Sequence, residues 1–257
     1  MKHVFYISFI FLIIFLFTID AKSQDGNKII IKDRKYGMTT TANNVTKEII
    51  KPKLDDIKHL YKDRIYTGKI KGKWGGFIVY TFKHEFYPVG NPEFDEITFI
   101  KESQHNEKGD YMGATAYFLV KKDSRLALLN FQIDEAPQKF NISSYFDEIG
   151  STSEEMKSNF KKLFYVKKDS LYGIYSARGV QKCPIVYNKH IQYSDDKNNT
   201  FHALSKSNEN YLLVDNQNTN FPLVKADTIW YDKMIYMVNE KKDTLTYQNG
   251  GLKSIKK

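Results

Sequence analysis

The chain has 257 residues, a formal charge of +9 and a sequence pI near 9.2. A hydrophobic fraction of 41% supplies a sizeable core, and only 6 Pro beside 18 Tyr and 18 Phe exclude a low-complexity or disordered class. The basic balance suits anionic partners, but the lysines come as short pairs at 121–122, 161–162, 167–168, 241–242 and 256–257. Such pairs beside strand-like residues read as wetted turns and strand edges, so no nucleic-acid partner is expected.

At the N-terminus, Lys2 and His3 precede an apolar run from Val4 to Ile19, followed by Asp20-Ala21-Lys22-Ser23-Gln24. Small residues at Ala21 and Ser23 fit cleavage after Ser23, so residues 1–23 read as a secretory signal peptide. The run falls short of the ~20 residues a membrane span prefers, and an uncleaved anchor is the alternative. No second apolar run of that length follows, so no span is expected after cleavage. The expected location is outside the cytoplasm: periplasmic, outer-surface or secreted.

From residue 24 onward the chain repeats a phrase. Val120-Lys-Lys-Asp-Ser-Arg-Leu-Ala127 returns as Val166-Lys-Lys-Asp-Ser-Leu-Tyr-Gly173. Looser copies stand at Ile31–Gly37, Ile70–Gly75 and Ser205–Leu212. Five units follow if each starts at an aromatic-Gly position: Tyr36-Gly37, Trp74-Gly75, Leu126-Ala127, Tyr172-Gly173 and Tyr211-Leu212. A second landmark recurs in order: Leu54-Asp-Asp-Ile57, Phe94-Asp-Glu-Ile97, Phe146-Asp-Glu-Ile149, Asn188-Lys-His-Ile191 and Ala226-Asp-Thr-Ile229. Pro52, Pro92, Pro184 and Pro222 precede four of these.

Within a unit, two apolar runs flank a short polar tip, as in 116–131 and 163–175, which is the pattern of a β-hairpin. A lone hairpin is marginal in water, so the hairpins must pack on one another. The glycine after the aromatic residue allows close backbone approach or a bulge, and the ring contributes roughly 2–3 kcal/mol if fully buried. One helix is expected over 151–162, capped by Ser151 or Ser153, with acids early and lysines late. Residues 102–110 and 195–200 read as polar loops. The fold class is therefore all-β, a tandem array of antiparallel hairpin repeats filling 24–257, either closed as a small propeller-like ring or stacked as an open curve. Strand-like residues 245–247 and 29–31 are candidates for a pairing that would close the ring.

These residues resemble the WG repeats of bacterial proteins. Gly72-Lys73-Trp74-Gly75 is the best start, Lys35-Tyr36-Gly37 and Leu171-Tyr172-Gly173 are looser, and Phe94–Ile97 and Phe146–Ile149 match the second half. Leu126-Ala127 and Tyr211-Leu212 depart from the pattern. The resemblance implies an all-β array used for binding or scaffolding, with Tyr36, Gly37, Trp74, Gly75, Tyr172, Gly173, Phe94, Ile97, Phe146 and Ile149 as its structural positions. It implies no catalytic set.

Searching for chemistry gives little. No nucleophile elbow, metalloprotease helix, phosphate loop or calcium loop is present. His59, His84, His105, His190 and His202 lack metal-ligand spacing and read as surface or turn residues. The lone Cys183 lies in a strand-like stretch and reads as a buried small hydrophobe. The acidic pairs Asp55/Asp56, Asp95/Glu96 and Asp147/Glu148 recur, and read as turn caps facing lysines of adjacent units, or else as acid and base of a glycan hydrolase. The rings of Trp230, Tyr231, Phe86 and Tyr87 are the candidate binding residues. The expectation is an exported, non-enzymatic module that binds a protein or a cell-surface glycan, with no cofactor, no catalytic residue and no metal.

Overall fold

The computed structural model describes residues 25–105, 111–133, 140–160, 162–194, 200–215, 223–232, 234–238, 244–248 and 251–254. The predicted leader, residues 106–110 and 195–199 of the stretches expected as loops, and Pro222 lie outside the described residues, while 102–105 belong to a strand. Among the described residues the chain folds into six small antiparallel sheets in sequence order, one of three strands and five of four. The expected all-β tandem architecture is present, with one sheet more than the five units counted from the landmarks.

Sheet 1 contains β1 (Gly26–Lys32), β2 (Lys35–Ala42) and β3 (Val45–Leu54). Sheet 2 contains β4 (Asp56–Tyr61), β5 (Ile65–Ile70), β6 (Lys73–Tyr80) and β7 (Glu85–Phe94). Sheet 3 contains β8 (Glu96–His105), β9 (Tyr111–Lys122), β10 (Arg125–Gln132) and β11 (Phe140–Ile142). Sheet 4 contains β12 (Glu148–Ile149), β13 (Leu163–Lys168), β14 (Leu171–Ser176) and β15 (Gln181–Tyr187). Sheet 5 contains β16 (Lys189–Ser194), β17 (Thr200–Lys206), β18 (Glu209–Asp215) and β19 (Val224–Ala226). Sheet 6 contains β20 (Thr228–Asp232), β21 (Met234–Val238), β22 (Thr244–Gln248) and β23 (Gly251–Ser254). Residues 245–247 lie in β22, hydrogen-bonded to β21 and β23 on either side. Both edges of this candidate closing strand are thus taken within its own sheet.

The repeated phrase is a two-residue hairpin turn. Asp33-Arg34, Asp123-Ser124 and Asp169-Ser170 all take positive φ at both central positions, as does Lys71-Gly72. That is the turn whose twist matches the flanking strands, and Asp, Asn and Gly tolerate it best. The helix α1 (Ser153–Ser158) is shorter than expected, and Thr152 caps it rather than Ser151 or Ser153. Thr152 Oγ1 accepts from Glu155 N while Glu155 returns to the Thr152 backbone, a reciprocal capping box. α1 buries Met156 in a cluster with Phe146, Phe160, Phe164 and Tyr175.

The chain divides into two compact units, each described by itself: residues up to Gly72 with Gly76–Pro88, and Lys73–Gly75 with Val89–Lys257. In the first, Met38, Ile50, Leu54, Ile57, Tyr66 and Phe77 form the core. In the second, clusters recur between successive sheets: one around Phe146 and Phe164, one around Ile174, Cys183 and Leu204, and one around Phe201 and Leu212.

Candidate functional site

The sheet boundaries explain the second landmark. At positions 55, 95, 188 and 227 a sheet ends one residue before an Asp or Asn and the next begins one residue after it; at Asp147 the preceding residue, Phe146, makes an isolated bridge to Leu126 and the next sheet begins at Glu148. At Asp55 the backbone N–H donates to Lys69 O (2.7 Å), one carboxylate oxygen accepts from Lys71 N (2.6 Å) and the other meets Lys35 Nζ (2.5 Å). Asp95 repeats this with Lys121 O (2.8 Å), Asp123 N (2.8 Å) and Lys73 Nζ. Asp147 repeats it with Lys167 O (2.8 Å), Asp169 N (2.8 Å) and Arg125 Nε (3.2 Å). Each aspartate therefore ties the cation of the sheet it closes to the hairpin turn of the sheet it opens. The side-chain bonds from Lys35 and Lys73 lead the causes that hold the Asp55 and Asp95 carboxyls below their ordinary range, with the turn N–H groups next. All three first members cap a turn, as expected, and Asp55 and Asp95 face lysines, whereas the cation at Asp147 is Arg125. Their neighbours differ: Asp56 accepts from the Ile57 N–H (2.8 Å), Glu96 lies 3.6 Å from Lys121, and Glu148 accepts from the Tyr165 hydroxyl.

The aromatic-Gly landmark is equally structural. A methyl group on Gly37 would stand 2.5 Å from Ile50 O and 2.8 Å from Pro52 N. On Gly75 it would meet Pro92 N at 3.0 Å, and on Gly173 it would meet Ile185 Cγ1 at 2.8 Å. The register shows why. Tyr36 pairs with Leu54 but Met38 with Ile50, and Tyr172 pairs with Tyr187 but Ile174 with Cys183. One glycine thus faces three residues of a bulge that contains the proline, which has no N–H to offer a ladder. Trp74, Phe94, Phe146 and Ile149 are buried, while Ile97, Tyr36 and Tyr172 are half-buried, with Tyr36 and Tyr172 packed against buried clusters.

Sheet 5 breaks the rule at every position. Counting from its two-residue turn, Ser207-Asn208, its cation, aromatic and glycine positions hold Glu209, Asn210 and Tyr211. The expected alignment at Tyr211-Leu212 is thus one residue late. Tyr211 pairs with Lys225 in plain register between Asn210–Ala226 and Leu212–Val224, so the bulge is absent. The junction before it holds Asn188, where the cation position of sheet 4 is Leu171. Its landmark is therefore Tyr187–His190 rather than 188–191, and His190 takes the place of Ile57, Ile97 and Ile149.

An open cleft of about 580 Å³ lies there, lined by Asn188, Lys189, Ser205, Ser207, Asn208 and Asn210. Beside it His190 Nε2 lies 3.0 Å from His202 Nδ1. His202 is fully buried, against the expectation of a surface or turn residue, in the inner strand β17, which pairs with β16 so that His190 and His202 come together. Two nitrogens facing each other along a hydrogen bond do not converge on a metal, and no group of three or more potential metal ligands occurs among the described residues. Cys183 is buried, and desolvation raises its thiol pKa to about 11, which makes it inert as expected.

Of the candidate binding rings, Phe86 is 39% exposed and meets Phe77 edge-on at 6.3 Å. Tyr87 is half-buried, donates to Glu85 (2.5 Å) and packs edge-on against Tyr80 at 5.2 Å. Phe82, the first ring of the cluster Phe82-x-x-x-Phe86-Tyr87, sits in the short 3-10 turn Thr81–Lys83 and is 77% exposed. The side chains of Trp230 and Tyr231 lie outside the described residues.

No family model and no curated protein matches the chain. Among solved structures, the AfRom2 CNH domain is similar over 90% of this chain and 93% of that chain, at 6% identity and a TM-score of 0.22, too low to carry an argument.

Proposed function

We propose that this all-β repeated-sheet protein is an exported, non-enzymatic binding module of the cell envelope, a degenerate relative of the WG-repeat proteins, whose ligand is a protein or a surface glycan. The observation that carries the reading is the engagement of Asp55, Asp95 and Asp147. A general acid or base needs a proton to exchange with substrate. These carboxylates instead hold a turn N–H and a cation each, and so act as fasteners. The exposed rings Phe82 and Phe86 with the half-buried Tyr87 supply an apolar surface suited to a sugar face or a partner's side chains. The leader sequence supports export, and among the described residues no helix is long and apolar enough to cross a membrane.

The test combines binding and turnover on purified cell-wall polysaccharide. Retention of the full chain, lost in Phe82→Ala/Phe86→Ala and kept in Asp95→Asn, with no new reducing ends, supports a binding module. Release of reducing ends that Asp95→Asn abolishes would replace it with the glycan-hydrolase alternative. Loss of retention in the cleft variant Asn208→Ala alone would move the contact to sheet 5, whose amide and hydroxyl lining also suits sugar hydroxyls.

A further inference from the structure

We infer that the His190–His202 pair is an acid-sensitive latch between sheets 4 and 5, closed when both rings are neutral and released when either takes up a proton. The repeat itself singles out the pair. Counted from the hairpin turns, the position of His202 is Tyr66 in sheet 2, Phe118 in sheet 3 and Phe164 in sheet 4, all buried rings. Sheet 5 thus puts two imidazoles where sheets 2 to 4 have an isoleucine and a buried Phe or Tyr ring.

The site is built around them. His190 and His202 stack with centroids 5.3 Å apart, and Tyr165 of β13 lies 4.5 Å from His190. Tyr165 reaches that place because Gly150 has no side chain; a methyl there would stand 2.0 Å from the tyrosine ring. Tyr172 of β14 lies 5.9 Å from His190 on the same side. His202 Nε2 is buried and accepts or donates no hydrogen bond. Neutral rings fit this arrangement when His202 Nδ1–H donates to His190 Nε2, leaving Nε2 of His202 as a bare lone pair. A proton on either ring places an unpaired charge in the sheet interface.

The groups facing the pair do not offset that charge. Glu148 of β12 favours His190 protonation, but burial dominates and holds its pKa at about 4. Burial, then His190, then Lys162 depress His202 to about 3. Lys167 sits over the Tyr172 ring at 5.5 Å, and Cys183, Tyr187 and Tyr211, which share a cluster with Tyr165 and Tyr172, have raised pKa values and stay neutral. The sign follows. With folded values depressed below about 6.5, stabilisation is complete above that pH and is lost as pH falls towards 4. An opened interface whose imidazoles titrate normally gains about 30-fold in population per histidine at pH 5 relative to pH 7.5.

The lone Cys183 reports on this interface, since it packs with Leu204 and Leu213 of sheet 5. The experiment measures labelling of Cys183 in the full chain by 4,4′-dithiodipyridine at pH 7.5 and 5, each normalised to the denatured chain. The expected result is faster normalised labelling at pH 5, by about 30-fold if one imidazole is freed and up to about 900-fold if both are, abolished in His190→Ile/His202→Phe, which restores the residues of sheets 3 and 4. Equal pH dependence in wild type and variant, or none in either, overturns the latch. Should the double variant fail to fold, imidazole 15N shifts of the wild type decide: both rings neutral at pH 5 in the closed protein support it, and a charged His202 there overturns it.

Discussion

Sheet 2 and sheet 5 have the same four-strand order, yet they are held in different ways. Sheet 2 opens its third strand with Lys73-Trp74-Gly75, buries the ring, lets Pro92 approach the glycine and closes on Asp95. Sheet 5 has Glu209-Asn210-Tyr211 at those positions, runs straight through the place of the bulge and pairs Glu209 with Lys225 at 2.9 Å instead of with the junction. Asn210 compensates locally, donating from Nδ2 to Asp227 O at 2.9 Å and accepting from Ser205 at 2.8 Å. The glycine, the proline and the bulge thus form one device. When Tyr211 occupies the glycine position the bulge disappears, since a side chain cannot face backbone at that distance. Sheet 3 is the intermediate: Ala127 replaces the glycine, and Ser143 Oγ accepts from Leu128 N at 2.9 Å in place of a tight bulge.

The largest test of the contrast is at the aromatic position. Trp74→Ala is expected to cost roughly 3–5 kcal/mol in denaturant unfolding, as buried aromatic truncations do, whereas Asn210→Ala is expected to cost about 1 kcal/mol. Equal costs would mean that the position carries no special weight. Next comes the glycine. Gly37→Ala drives a methyl into the Ile50 carbonyl, and a loss of about 2 kcal/mol is expected, with about half that for Gly75→Ala, where the contacts are longer. An unchanged melting midpoint for Gly37→Ala would show that close approach is not the role of that glycine. The smallest effect concerns the junction. Asp95→Asn is expected to lower the midpoint at neutral pH, and the difference from wild type should vanish as pH falls through the depressed Asp95 pKa, because that stabilisation exists only while the carboxylate is charged. Both partners are more than a third exposed, so 1 M salt should also shrink the difference. The two acid responses begin at different pH, the histidines near 6.5 and the aspartates only around the ordinary carboxylate range, so the histidine response is read alone between about pH 6.5 and 5.

The repeat was legible in sequence because its landmarks do physical work that few residues can do. Gly37, Gly75 and Gly173 face backbone or a packed side chain at close range, and Asp55, Asp95 and Asp147 each satisfy a turn N–H, so those letters persist among variable neighbours. Sheet 5 was misread by one residue at both landmarks for the same reason. With those requirements gone, the nearest aromatic and the nearest isoleucine, Tyr211 and Ile191, attracted an alignment that only the two-residue turn Ser207-Asn208 corrects. The histidine pair escaped because its members are twelve positions apart on paired strands, a distance that no motif scan weighs. Alignment of hairpin turns would have found it, since His202 then falls in a column of Tyr66, Phe118 and Phe164. Ring exposure at Phe82 was invisible because three residues of 3-10 turn decide where that ring points.

The single-residue junction also sorts the chain into lengths that are fixed and lengths that are free. From cation to junction aspartate the separations are 20, 22 and 22 residues at Lys35, Lys73 and Arg125. From junction aspartate to the turn it caps they are 16, 28 and 22. That variation sits in the first hairpin of a sheet, as longer strands in β8 and β9 and as the segment with α1 between β12 and β13. Closing a longer loop there costs only about 0.6 kcal/mol per doubling of its length. A residue added at a junction would instead pull the aspartate off its turn. New sequence can therefore be grafted between the first two strands of each sheet while the fasteners stay in register.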